Sequence, residues 1–92
     1  MKYTLKLSPK AIKDLDFFRK IGNTKLVNKI VVLFSELQEH PRIGTGRPKQ
    51  LLGDLAGYWS RRIDQKNRMV YKIVENVVVV EVLSLQGHYS DK

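Results

Sequence analysis

Gly57-Tyr58-Trp59-Ser60-Arg61-Arg62-Ile63-Asp64-Gln65-Lys66-Asn67-Arg68-Met69-Val70-Tyr71 reads as two strands joined by a short polar turn. Tyr58 to Ile63 and Arg68 to Val74 carry the aromatic and β-branched residues that suit a pleated surface. A three-residue turn centred on Gln65 places Arg62 across from Arg68. Like charges so opposed repel each other, and an anion held between them would remove the penalty; alternatively, one or both reach into solvent. Arg61 and Arg62 are neighbours in a strand, so they face opposite sides of the sheet. Glu75-Asn76 makes a tight turn into a further strand, Val77 to Leu85.

Upstream, Tyr3-Thr4-Leu5-Lys6-Leu7 alternates enough for a first strand. Ser8-Pro9 follows as an N-cap and a proline at the first helical position, where its missing N–H costs nothing. Ile12, Leu15 and Phe18, with Phe17 beside them, give that helix an apolar side, and Gly22 ends it. Asn23 or Thr24 caps a second helix. Its apolar stripe is Leu26, Val27, Ile30, Val31, Leu33, Phe34 and Leu37, and Lys25, Asn28, Lys29, Glu36 and Glu39 lie opposite. That helix breaks near His40-Pro41. Residues 41–50 contain two prolines and two glycines and read as an irregular basic loop. The order is β-α-α-β-β-β, an α+β fold in which an antiparallel helix pair covers one face of a sheet. No element remains for the other face, which is expected to be open, concave or a partner surface.

Ninety-two residues make one domain, 1–92, with a thin core. The longest apolar run, Val77-Val78-Val79-Val80, falls far short of the roughly 18 residues of a membrane span. The first residues contain no apolar core of a signal peptide, and there is no cysteine, so a cytoplasmic protein is expected, without disulfides. Net charge is +8 and unevenly placed: residues 42–72 hold eight bases and two acids, the other 61 residues nine bases and seven acids. Charge concentrated in this way suits a polyanion.

Gly44-Thr45-Gly46 is not a phosphate-binding loop. It lacks the lysine and hydroxyl of the nucleotide motif, and Lys49 stands where a third glycine would be needed. It reads instead as a turn carrying Arg47 and Lys49 toward a polyanion. His40 and His88 are the only histidines, so no metal site and no cofactor are expected; His40 suits a helix end. His88 follows Gly87 and is either a terminal residue or a proton donor beside Tyr89. Trp59 and Tyr71 read as core, Tyr58 and Tyr89 as stacking platforms for bases.

Several spaced segments resemble the YoeB/Txe toxins of the RelE superfamily. These are Gly44-x-Gly46-Arg47-Pro48, Leu55-x-Gly57-x-Trp59-Ser60-Arg61-Arg62-Ile63, Asn67-Arg68-Met69-Val70-Tyr71 and Gly87-His88-Tyr89. The resemblance implies a microbial-RNase fold and a toxin that cleaves mRNA in the ribosomal A site, without metal. It also implies neutralisation by a YefM/Axe/Phd-like antitoxin, and a homodimer or toxin–antitoxin complex. Its catalytic arginine falls on Arg68, the second arginine of its Trp-Ser-Arg-Arg run on Arg62, and its terminal His-Tyr pair on His88 and Tyr89. Lys49 stands where the family usually has glutamate, the candidate base, and Leu52 where it often has lysine.

The implied roles are these. Arg68, helped by Arg62, carries the phosphate charge, His88 is the acid, and Tyr89 orients the phosphate or stacks on a base. Lys49 is the base only in its deprotonated form, which neighbouring cations favour; alternatively it binds phosphate and cleavage is weakened. Arg47, Tyr58, Arg61, Arg62 and Lys66 are the expected RNA-binding residues. The competing expectation is a catalytically dead RNA-binding or co-repressor module on the same fold.

Overall fold

The computed structural model describes residues 2–86, with side chains through Leu83. Strand β1 (Thr4–Leu7) leads into helices α1 (Pro9–Lys20) and α2 (Thr24–Glu39). Then come β2 (Lys49–Gln50), a 3-10 turn (Gly53–Leu55), β3 (Tyr58–Arg62), β4 (Asn67–Val74) and β5 (Val77–Gln86). The strands form one sheet in the order β1-β5-β4-β3-β2. The β1–β5 pair is parallel and the other three are antiparallel. This is the expected α+β arrangement with one strand added. Residues 41–50 are not irregular throughout, because Lys49 and Gln50 pair with Ser60 and Trp59 at the sheet edge. Two residues are too few for an alternating pattern, so nothing in the composition marks that strand.

The caps form as the sequence predicts. Ser8 Oγ accepts the Ala11 N–H, and Asn23 Oδ1 accepts the Leu26 N–H. Ser8 also donates to the Glu81 carbonyl, while Asp14 accepts the Leu83 N–H. Both partners lie where β5 slips register against β4, with Val82 opposite Val70 but Val80 opposite Tyr71. The bulge frees backbone groups from the ladder, and α1 satisfies them. Asp14 is 7% exposed for this reason.

The core lies between the helices and one face of the sheet. Ala11 and Phe18 of α1 and Leu26, Ile30, Leu33 and Leu37 of α2 meet Ile63, Met69, Tyr71, Val78, Val80 and Leu83. Ile12 faces outward, contrary to expectation, as does Val31. Ala11, Leu15 and Phe18 already fill the inward side of α1, and Ile12 lies about 100° around the helix from Ala11. Among the described residues no helix is long and apolar enough to cross a membrane.

Candidate functional site

Strand parity sorts the hairpin into two chemistries. Trp59 pairs with Tyr71, and Arg61 with Met69; Met69 and Tyr71 belong to the helix-side core, and Trp59 packs against it. The alternate pairs are Tyr58 with Lys72, Ser60 with Val70, and Arg62 with Arg68, and Lys49 of β2 pairs with Ser60. Opposed residues share a face, so Lys49, Tyr58, Arg62, Arg68 and Lys72 all project away from the helices. Directly opposed residues have Cβ atoms about 4.5–5.5 Å apart. The predicted opposition of Arg62 and Arg68 is therefore present, and Lys49 lies one strand away.

Lys49 and Arg62 are exposed; Tyr58, Arg68 and Lys72 are half-buried. Lys72 Nζ lies 5.8 Å from the Tyr58 ring centroid and 3.8 Å from a Glu81 carboxylate oxygen, which holds the Tyr58 ring at the edge of the basic row. Lys66 is exposed in the β3–β4 turn, where Asp64 Oδ1 accepts its N–H, and Arg47 is exposed just before β2. The face is not bare. Leu51, Ser60 and Val70 are buried on it, and Ser60 Oγ has no hydrogen-bond partner among the described residues. A concavity of about 620 Å³ lies elsewhere, lined by Leu26, Val32, Lys25, Lys29 and Ile63, and contains none of the basic row.

Arg61 overturns one expectation. The sequence puts it among the expected RNA-binding residues, yet it is 0% exposed. Its parity points it under the sheet, where its donors are all engaged. Nε donates to Tyr71 Oη at 3.2 Å. Nη1 donates to Glu36 Oε1 at 2.8 Å and to the Thr45 carbonyl at 3.2 Å. Nη2 donates to the carbonyls of His40 at 2.5 Å and Ile43 at 2.6 Å. A guanidinium so enclosed cannot reach a nucleic acid. It fixes the loop between α2 and β2 instead.

Glu36 completes that anchor from the last turns of α2. Its Oε1 accepts the Thr45 N–H and its Oε2 accepts the Thr45 hydroxyl. Burial disfavours the charged carboxylate, but the Thr45 hydrogen bonds and Arg61 outweigh it and hold the pKa below 4.5. Tyr71 donates its hydroxyl to the Pro41 carbonyl at 2.6 Å. Burial raises its pKa above 10.0, against the opposing effect of Arg61. The two loop glycines fit around this anchor. Gly44 has φ 118, and a Cβ there would collide with Glu36 Oε1; Gly46 has φ 86, and a Cβ there would lie 2.6 Å from the Arg62 carbonyl oxygen. The Gly46 carbonyl in turn accepts the Arg62 N–H at 2.7 Å. Nothing in the sequence marks Glu36 and Thr45 as site residues, since in sequence they look like helix surface and loop.

Residues 7–89 match the model of a family described as the YoeB-like toxin of bacterial type II toxin-antitoxin systems. The chain belongs to that family. Toxin YoeB of Mycobacterium bovis is 36% identical over 86 residues, covering 94% of this chain and 98% of that protein. The solved YoeB dimer from Staphylococcus aureus superposes with a TM-score of 0.82 at 30% identity, over 97% of this chain and 100% of that one. A YoeB–YefM complex from the same organism gives 0.80 at 31% identity, over 97% and 100%. This YoeB-like chain is thus a toxin of a type II toxin–antitoxin system, with its family's fold. The matched span includes His88 and Tyr89, which lie outside the described residues.

Proposed function

We propose that the toxin is an endoribonuclease that cuts mRNA on the ribosome and so blocks translation, with Arg62 and Arg68 at the scissile phosphate. The observation that carries this is the register of β3 and β4. It brings two guanidinium-bearing residues side by side on the face away from the helices, with Lys49 of the neighbouring strand diagonal to Arg62 on the same face. Adjacent guanidiniums suit a phosphate whose charge rises as the 2′-oxygen attacks phosphorus. Cleavage needs a group to take the 2′-hydroxyl proton and another to protonate the departing 5′-oxygen. Lys49 is our candidate for the first and His88 for the second, with Tyr89 orienting the phosphate or stacking on a base. Tyr58, Arg47 and Lys66 would hold flanking nucleotides by stacking and charge.

The natural inhibitor in this account is an acidic, partly disordered antitoxin related to YefM, which the Staphylococcus aureus protein binds in its solved complex. A homodimer is the alternative assembly, as in the solved YoeB dimer. Action on ribosomes would make the cytoplasm its place of work. A second reading, a binding module without catalysis, is supported by Lys49 standing where a glutamate base is expected. In-vitro translation with the purified chain, followed by primer extension on the mRNA, separates the two. Inhibition accompanied by discrete cuts supports the nuclease; inhibition with intact mRNA leaves only binding.

A further inference from the structure

We propose that the buried Arg61–Glu36 pair is a positioning device for the basic face: it sets the 40–48 loop so that Lys49 pairs with Ser60, diagonal to Arg62 on the same face. The proposal rests on the reading of that face as the RNA site. Three observations carry it. First, three loop carbonyls, those of His40, Ile43 and Thr45, converge on one guanidinium, while Glu36 holds both the N–H and the hydroxyl of Thr45. Such an arrangement defines one loop conformation, since any other would leave a buried charge without its partners. Second, the loop ends on the strand that carries Arg62: the Arg62 N–H reaches the Gly46 carbonyl, and three residues later Lys49 pairs with Ser60. Third, Arg61 and Arg62 are consecutive. One anchors the loop beneath the sheet while the next projects above it, so a shift of the anchor is passed through a single peptide unit to the site. Glu36, Thr45 and Arg61 touch no substrate in this scheme and act through Lys49 and Arg62.

The test uses full-length Glu36→Gln and Thr45→Val chains at a temperature where circular dichroism shows each fully folded. On programmed ribosomes, kcat for mRNA cleavage is expected to fall about 10- to 100-fold with KM little changed, because a displacement near 1 Å is costly at a reacting centre. Thr45→Ser, which keeps the hydroxyl, should restore the rate that Thr45→Val loses. Amide exchange of residues 44–49 should quicken in both impaired variants. Folded variants with wild-type kcat and unchanged exchange at 44–49 would overturn the proposal, leaving the pair a stabilising element only. If the wild-type chain itself cuts no mRNA, the nuclease reading fails, and exchange at 44–49 alone decides whether the pair sets the loop.

Discussion

Replacing Arg61 by alanine should cripple folding, while the same change at Arg62 should scarcely affect it. The structure supplies the magnitude. Arg61→Ala leaves the carbonyls of His40, Ile43 and Thr45 without this donor. Glu36 keeps its two bonds to Thr45, and Tyr71 keeps its bond to Pro41. A buried acceptor left unsatisfied costs about 1–3 kcal/mol. His40, Ile43 and Thr45 are all exposed residues that water can reach, so the low end applies to each. The sum is about 3 kcal/mol, the lower end of the range found when one partner of a buried ion pair is removed. Domains of this size have total stabilities of about 5–15 kcal/mol. At roughly 4–8 °C per kcal/mol, Tm should fall by roughly 12–24 °C. Arg62 is exposed, and Arg62→Ala should stay within about 0.5 kcal/mol. Urea titration and thermal melts of both variants, followed by far-UV circular dichroism, measure this. An Arg61→Ala chain within about 1 kcal/mol of wild type, or an Arg62→Ala chain equally destabilised, would refute the assignment of the two arginines to opposite faces.

Three further outcomes follow from the same contacts. Glu36 has a folded-state pKa held below 4.5, so its contribution is complete above that value and disappears as pH falls through the lower folded one. The stability gap between wild type and Glu36→Gln should therefore narrow below about pH 4.5 in denaturant titrations; a gap that is constant or widens in acid would contradict it. Tyr71→Phe removes the acceptor of Arg61 Nε and the donor to the Pro41 carbonyl, and should cost about 1–3 kcal/mol by thermal melt. Lys49→Ala should lower mRNA cleavage about 10²–10⁴-fold in primer extension, the loss expected when a general base is removed; a rate within a few-fold of wild type would take Lys49 out of that role.

Much of this was legible in the residues. Ser8-Pro9 and Asn23 marked both helix starts because capping needs only a local side chain and no tertiary partner. The polar turn around Gln65 set the opposition of Arg62 and Arg68, because hairpin register is fixed by turn length. What escaped was tertiary. Arg61 shares its parity with Trp59 and Ile63, so alternation alone would have turned it toward the core; its charge argued for the surface. Only Glu36, 25 positions earlier in the chain, together with a loop offering its carbonyls inward, makes a guanidinium tolerable there. Ile12 was misplaced because hydrophobicity outranked position: small Ala11 occupies the inward side where α1 packs on β5. The short strand at Lys49 carries no pattern of its own and exists because β3 offers it an edge.

The central claim is that Arg62 and Arg68 act together on a phosphate of ribosome-bound mRNA, and primer extension with an Arg62→Ala/Arg68→Ala chain tests it most directly. The wild-type toxin should produce discrete cuts, and the double variant, melting within a few degrees of it, should produce none at equal concentration. A double variant that cuts as the wild type does, or a wild-type chain that halts translation while leaving every transcript whole, would contradict the account.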